Sequence, residues 1–151
     1  MTRAKARAKI ITDRARWIRT MVSGIKTLPL GSIEEFTADR RNAAAAESFL
    51  RRAIEAVMDL GRHILSKGFG VAVVEYREIA VRLGETGVLD GEHARIVREM
   101  AGYRNRMVHF YNEIGVEELY QICTGRLGEI ERVLDAILAW ANAHPELVER
   151  E

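Results

Sequence analysis

The run Gly102-Tyr103-Arg104-Asn105-Arg106-Met107-Val108-His109-Phe110-Tyr111 gathers two arginines, an asparagine, a histidine and two tyrosines within ten residues. That set is suited to a phosphodiester. An arginine guanidinium carries a permanent charge on a planar fork that matches phosphate oxygens. A histidine, with an unperturbed pKa of about 6.5, can accept and donate a proton near neutral pH. An asparagine can orient the ring or hold an oxygen. In RNA the 2′-hydroxyl is an internal nucleophile, so a base, an acid and a charge clamp suffice without a metal.

The spacing sets a geometric problem. On an ideal helix Asn105 and His109, four apart, share a face, whereas Arg104 and His109, five apart, point about 140° away from each other. They converge if Arg104 reaches around the helix, if the helix is distorted there, or across a dimer interface. One histidine per chain is short of separate acid and base roles, and a two-fold dimer places a second copy opposite the first. In a chain this rich in arginine, an Arg-x4-His match by itself proves nothing.

Other chemistries leave no mark. The four histidines, His63, His93, His109 and His144, form no HExxH pair. There is no phosphate-binding glycine loop and no GxSxG elbow. Cys123 is the one cysteine. It can form no internal disulfide and reads as a small buried hydrophobe, which points to a reducing, cytoplasmic setting. We expect neither a metal site nor a cofactor. No apolar run is long enough to span a membrane.

The elements that must position the site follow a 3.6-residue period. With 151 residues, 48% hydrophobic and 30% charged, the chain is sized for one domain, 1–151, with residues 1–9 as a basic extension. Helices are expected from about Ala4 to Lys26, from the Ser32/Glu35 capping box to about Lys67, and from about Val74 to Gly84. A fourth starts at Asp90 and runs through Val108, and a fifth covers roughly Val116 to Ala143, closed by Pro145. The expected fold is therefore all-α, an up-down bundle of about five helices. Leu50, Ile54, Val57, Gly61 and Ile64 form the apolar stripe of the second segment, with Arg51, Arg52, Glu55 and Arg62 off it. Gly61 and Gly102 inside helices suggest close helix approach.

Net charge is +1 but uneven. Seven basic side chains (Arg3, Lys5, Arg7, Lys9, Arg14, Arg16, Arg19) face only Asp13 in the first twenty residues, whereas residues 113–151 hold nine acids and three arginines. The basic segment reads as an RNA-phosphate contact, a solvated helix face, or a partner for the acidic tail.

The segment Met100-Ala101-Gly102-Tyr103-Arg104-Asn105-Arg106-Met107-Val108-His109-Phe110-Tyr111 closely resembles the signature of HepT-like proteins, a branch of the HEPN superfamily. Ala53 to Ile64 resembles the long second helix of that family, and the similarity spans about Ile10 to Asn142. The strongly basic first twenty residues depart from it. The resemblance implies a homodimeric, metal-independent ribonuclease, the toxin half of a two-gene toxin–antitoxin system, with its Arg-x4-His-x-Tyr motif facing a cleft between subunits. Carried over, Arg104 stabilises the phosphate, His109 transfers protons and Asn105 supports the site. The implied partner is an MntA-like nucleotidyltransferase antitoxin that moves AMP onto Tyr111, and a larger hetero-oligomer with it is open. Asp59 and His63, four apart on the second helix, either support the cleft or make a structural hydrogen bond. The competing readings are a non-catalytic HEPN module that binds nucleotide or scaffolds a nucleotidyltransferase, and a general RNA binder built on the basic N-terminus.

Overall fold

A computed structural model describes residues 4–109 and 114–150. The chain opens with a two-residue strand, β1 (Ala6–Arg7), followed by α1 (Ala8–Lys26). Ile11, Ala15, Ile18, Val22 and Ile25 recur three or four residues apart on α1 and are all buried. The short α2 (Ile33–Thr37) starts where the Ser32 hydroxyl accepts the Glu35 N–H at 3.1 Å. The long α3 (Arg40–Phe69) follows, capped by the Asp39 carboxylate and ended by Gly70, whose φ of 67° is left-handed. Then come α4 (Tyr76–Glu85) and α5 (Gly91–Val108), the latter capped by Asp90, which accepts the His93 N–H at 2.8 Å. The described chain ends with α6 (Val116–Gly125), α7 (Leu127–Ala143) and β2 (Val148–Glu149).

The all-α reading holds, with seven helices among the described residues rather than about five. Two expected helices are each broken once. The segment from Ser32 splits because Asp39 takes extended backbone angles and its carboxylate starts a new helix at Arg40. The last segment splits at Arg126, whose φ and ψ of −127° and 1° leave the helical region while its guanidinium binds carboxylates on both sides. The first helix begins at Ala8 rather than about Ala4, because Ala6 and Arg7 pair in parallel with Val148 and Glu149. Such a pairing across the full length of the chain is invisible to local periodicity.

α3 is the axis of the bundle and packs against α1, α2, α4, α5, α6 and β1. Its expected stripe is the core: Leu50, Ile54, Val57, Gly61 and Ile64 are all buried. A Cβ on Gly61 would lie 2.9 Å from Leu83 Cδ1 and 3.0 Å from Ile79 Cγ2, so the missing side chain lets α4 seat directly on α3. α4 also packs along α5. No described helix is long and apolar enough to cross a membrane.

Candidate functional site

The last turn of α5 carries Arg104 and Asn105. Arg104 points back across the bundle toward α3, where its Nε donates to Glu55 Oε2 at 3.1 Å. Glu55 also accepts from Arg51 Nη1 at 2.9 Å, so one carboxylate is shared by two guanidiniums. The Arg104 guanidinium carbon lies 4.6 Å from the centre of the Tyr76 ring, a cation–π contact at the first residue of α4. Arg62 lies 5.6 Å from the same ring. Arg62 in turn donates to the Val73 and Val74 carbonyls at 3.2 and 3.0 Å and to Asp59 Oδ1 at 3.4 Å, fixing the loop that leads into α4.

These contacts use the face of Arg104 and its Nε edge. Nη1 approaches Asn105 Oδ1 at 3.5 Å, and Nη2 makes no hydrogen bond among the described residues. It is the outer end of the fork that remains for an anion. The Arg104 side chain is 27% exposed.

His109 is brought to the same place by the end of the helix. Its φ and ψ of −97° and 114° are extended, and its N–H makes the last helical hydrogen bond, to the Asn105 carbonyl at 3.1 Å. The extended ψ turns the chain away after His109, so the residue closes the helix. Arg104, Asn105 and His109 line one groove of about 470 Å³, together with Val74, Glu75, Tyr76 and Arg77. Within a single chain Arg104, turned toward α3, and His109, at the end of its helix, thus border the same opening.

The remaining expected residues are distributed as follows. Asp59 reaches the groove only indirectly, through Arg62 and the loop carbonyls that Arg62 holds. His63 faces the other way: its Nε2 accepts the Arg7 N–H at 2.9 Å, fastening β1 onto α3. Burial, then the nearby Lys67, Arg7 and Arg14 charges, hold the His63 pKa below the usual imidazole value, consistent with a neutral acceptor. Of the two readings of the Asp59–His63 pair, His63 shows the structural hydrogen bond, and it lies outside the groove lining. Tyr111 lies outside the described residues. The helices that flank it are joined by a bidentate ion pair, Arg106 on α5 to Glu118 on α6, at 2.8 and 2.7 Å.

Glu55, Arg62, Tyr76 and Arg77 are site residues that spacing alone passed over. Glu55, Asp59 and Arg62 sit at i, i+4 and i+7, a polar stripe on a helix read mainly for its apolar one. That was a usable signal; Tyr76 and Arg77, beyond a loop, carried none. Elsewhere, His93 pairs with the Asp90 cap and His144 stacks on Trp140. Cys123 is buried, and burial pushes its thiol up to about 11, far from a nucleophile's range. Among the described residues no three His, Cys, Asp or Glu side chains gather as a metal-ligand set.

Residues 18–137 match the family described as Ribonuclease HepT-like, which is well over half of the chain. The chain belongs to the HepT-like family. One relative of this HepT-like chain is the tRNA nuclease HepT of Aphanizomenon flos-aquae (strain 2012/KM1/D3). It is 26% identical over 111 residues, covering 74% of this chain and 76% of the relative. Among solved structures, the HepT-like fold is shared with the tri-AMPylated Shewanella oneidensis HEPN toxin in complex with MNT antitoxin. The TM-score is 0.79 at 22% identity, over 86% of this chain and 97% of that one. A cytosolic Bacillus subtilis protein of unknown function, YutE, has the same fold at a TM-score of 0.72 and 16% identity, covering 91% and 90% of the two chains.

Proposed function

We propose that this HepT-like chain is a metal-independent endoribonuclease and the toxin of a toxin–antitoxin pair, working in the cytoplasm on tRNA or mRNA. The observation that carries the reading is the open groove shared by the outer end of Arg104 and by His109. A phosphodiester seated there meets the Arg104 Nη atoms, which stabilise the charge that grows on the phosphate oxygens. His109 takes the proton of the 2′-hydroxyl as its oxygen bonds to phosphorus. The bond to the 5′-oxygen breaks, that oxygen picks up a proton, and a 2′,3′-cyclic phosphate remains. In a homodimer the second proton comes from His109 of a second copy, which supplies the acid that one groove lacks. Asn105 steadies the Arg104 fork.

Control is assigned to Tyr111, two residues beyond His109. An MntA-like nucleotidyltransferase transfers AMP from ATP to the Tyr111 hydroxyl, releasing pyrophosphate and the hydroxyl proton. The added phosphate charge, two residues in sequence from His109, repels RNA and takes up space it needs. The Shewanella relative, solved in AMPylated form with its antitoxin, supports this assignment.

The test is expression without antitoxin, together with cleavage of tRNA by the purified chain in chelator. Growth arrest and cutting that both disappear in His109→Ala are expected. Retained toxicity in that variant, or a requirement for divalent metal, overturns the proposal. RNA left intact beside tight nucleotide binding assigns the groove to a non-catalytic role. For Tyr111, co-expression with the antitoxin should add AMP mass to the wild type and none to Tyr111→Phe, which stays toxic.

A further inference from the structure

We propose that a second cationic surface, Arg7, Arg14 and Lys67 grouped around His63, binds the phosphate backbone of the RNA on one side of the scissile linkage. The inference rests on the nuclease reading above and extends it from one phosphate to the path of the strand.

Three separate elements supply the charges. Arg7 ends β1, and Arg14 lies seven residues on, about two turns along α1 and on roughly the same side. Lys67 lies one turn beyond His63 on α3. The bond from the Arg7 N–H to His63 Nε2 at 2.9 Å, and the parallel pairing of Ala6 with Val148, clamp these elements together. All three side chains are exposed. They lie near enough to His63 for each to disfavour its protonation, after burial, which dominates.

These three cations gather about one side chain, and no carboxylate among the described residues pairs with them. Elsewhere on α1, Lys9 and Arg16 share Asp13, Arg19 faces Asp135, and Lys26 binds Glu131 at 2.5 Å. Among the described residues Arg7, Arg14 and Lys67 form no ion pair, and Glu149, opposite Arg7 in the strand pair, makes none with it. Exposed cations carried by three elements around one residue, none of them in an ion pair, suit a repeating polyanion rather than a single small anion.

The patch is also well placed. His63 directly follows Arg62, which holds the Val73 and Val74 carbonyls beside the catalytic groove. Adjacent helical residues differ by about 100° around an axis of roughly 10 Å diameter. A strand leaving the groove past Arg62 therefore meets Lys67 within about one helix width. A dinucleotide is too short to engage both sites.

The experiment compares the full chain carrying His109→Ala, so that RNA stays uncut, with and without Arg14→Ala plus Lys67→Ala. Binding of a labelled tRNA and of an unstructured 20-mer is titrated across NaCl concentrations. The double variant should bind about tenfold more weakly near 0.1 M salt. The slope of log K against log salt should fall by about 1.5, at roughly 0.7–0.9 per phosphate contact. Lys9→Ala plus Arg16→Ala, which removes charges already paired, should leave the slope at its starting value. With His109 restored, the patch variant should raise KM for the 20-mer relative to that for a dinucleotide. An unchanged slope in the patch variant overturns the proposal, as does an equal fall in the Lys9/Arg16 control. If the active chain cuts no RNA, the nuclease reading fails by itself, while the binding result still decides whether the patch holds a polyanion.

Discussion

Arg104 and Arg126 are built from the same parts and end in opposite states. Each guanidinium lies on or beside a tyrosine ring, Tyr76 at 4.6 Å for Arg104 and Tyr103 at 5.5 Å for Arg126, and each reaches glutamate from a neighbouring element. Around Arg126 every edge is taken. Nε and Nη2 grip Glu129 at 2.7 and 2.8 Å, Nη2 also meets Glu99, and Nη1 meets the Tyr103 hydroxyl. Two carboxylates neutralise one cation, and the hollow beside it, about 20 Å³, has room for about one water molecule. Arg104 shares its single carboxylate with Arg51 and opens onto a groove of about 470 Å³. The lesson is that residue type does not make a site. Unspent donors, incomplete neutralisation and room for a ligand do.

That contrast can be broken most directly by removing each arginine in turn. Arg104→Ala should reduce RNA cleavage by about 10²–10³-fold, the scale for losing a donor to a developing anion, with little change in melting temperature. Arg104→Lys should recover only part of this, because an ammonium cannot reproduce the fork. Arg126→Ala should do the converse. It leaves Glu99 and Glu129 without their main partner and should lower unfolding stability by about 1–2 kcal/mol in a denaturant titration, while cleavage per folded molecule stays near wild type. If Arg126→Ala abolishes cutting in folded protein, the two regions are not separate in function.

A finer probe is Glu55→Gln. The amide oxygen can still accept the Arg104 N–H, but the charge that holds the guanidinium is gone, so kcat should fall about tenfold. Glu55→Ala should fall further. Equal losses in the two variants would make Glu55 a packing residue rather than the group that positions Arg104.

The smallest effect concerns acid. Hydrogen bonding to Arg126 is the main cause holding Glu99 below its ordinary 4.5, and hydrogen bonding to Arg106 does the same for Glu118. Below 4.5 the unfolded chain binds protons that these native carboxylates refuse, so stability is present above that pH and lost as pH falls through the lowered native values. Arg126→Ala should flatten this acid limb of the stability profile. Arg104→Ala should leave it as steep as in the wild type.

Much of the fold was legible because its cause is local. Leu50, Ile54, Val57, Gly61 and Ile64 share a stripe by periodicity alone, and burial of that stripe needs no knowledge of the partner. The Ser32 and Asp90 caps were readable for the same reason, since a side-chain oxygen and an N–H three residues on settle the matter between them. The break at Asp39 is also local but competes with strong helix-forming neighbours on either side. The break at Arg126 has a remote component: Glu99, on α5, is drawn to a guanidinium 27 residues later.

The site divides along the same line. Arg104, Asn105 and His109 could be singled out from side-chain chemistry and from likeness to a family signature, because both depend on residue identity in one short segment. Which of their atoms would be left to act depended on Glu55, 49 residues away, on Tyr76 carried in by α4, and on a helix that stops at Val108. His63 shows the reverse case, a residue whose chemistry suited the groove but whose ring is turned toward Arg7 and the strand pair. Residue order determines what each group can do and which face of its own helix it occupies. Only packing between distant elements decides which charges are cancelled, because Coulombic and hydrogen-bonding partners are chosen by proximity in space, and periodicity says nothing of that.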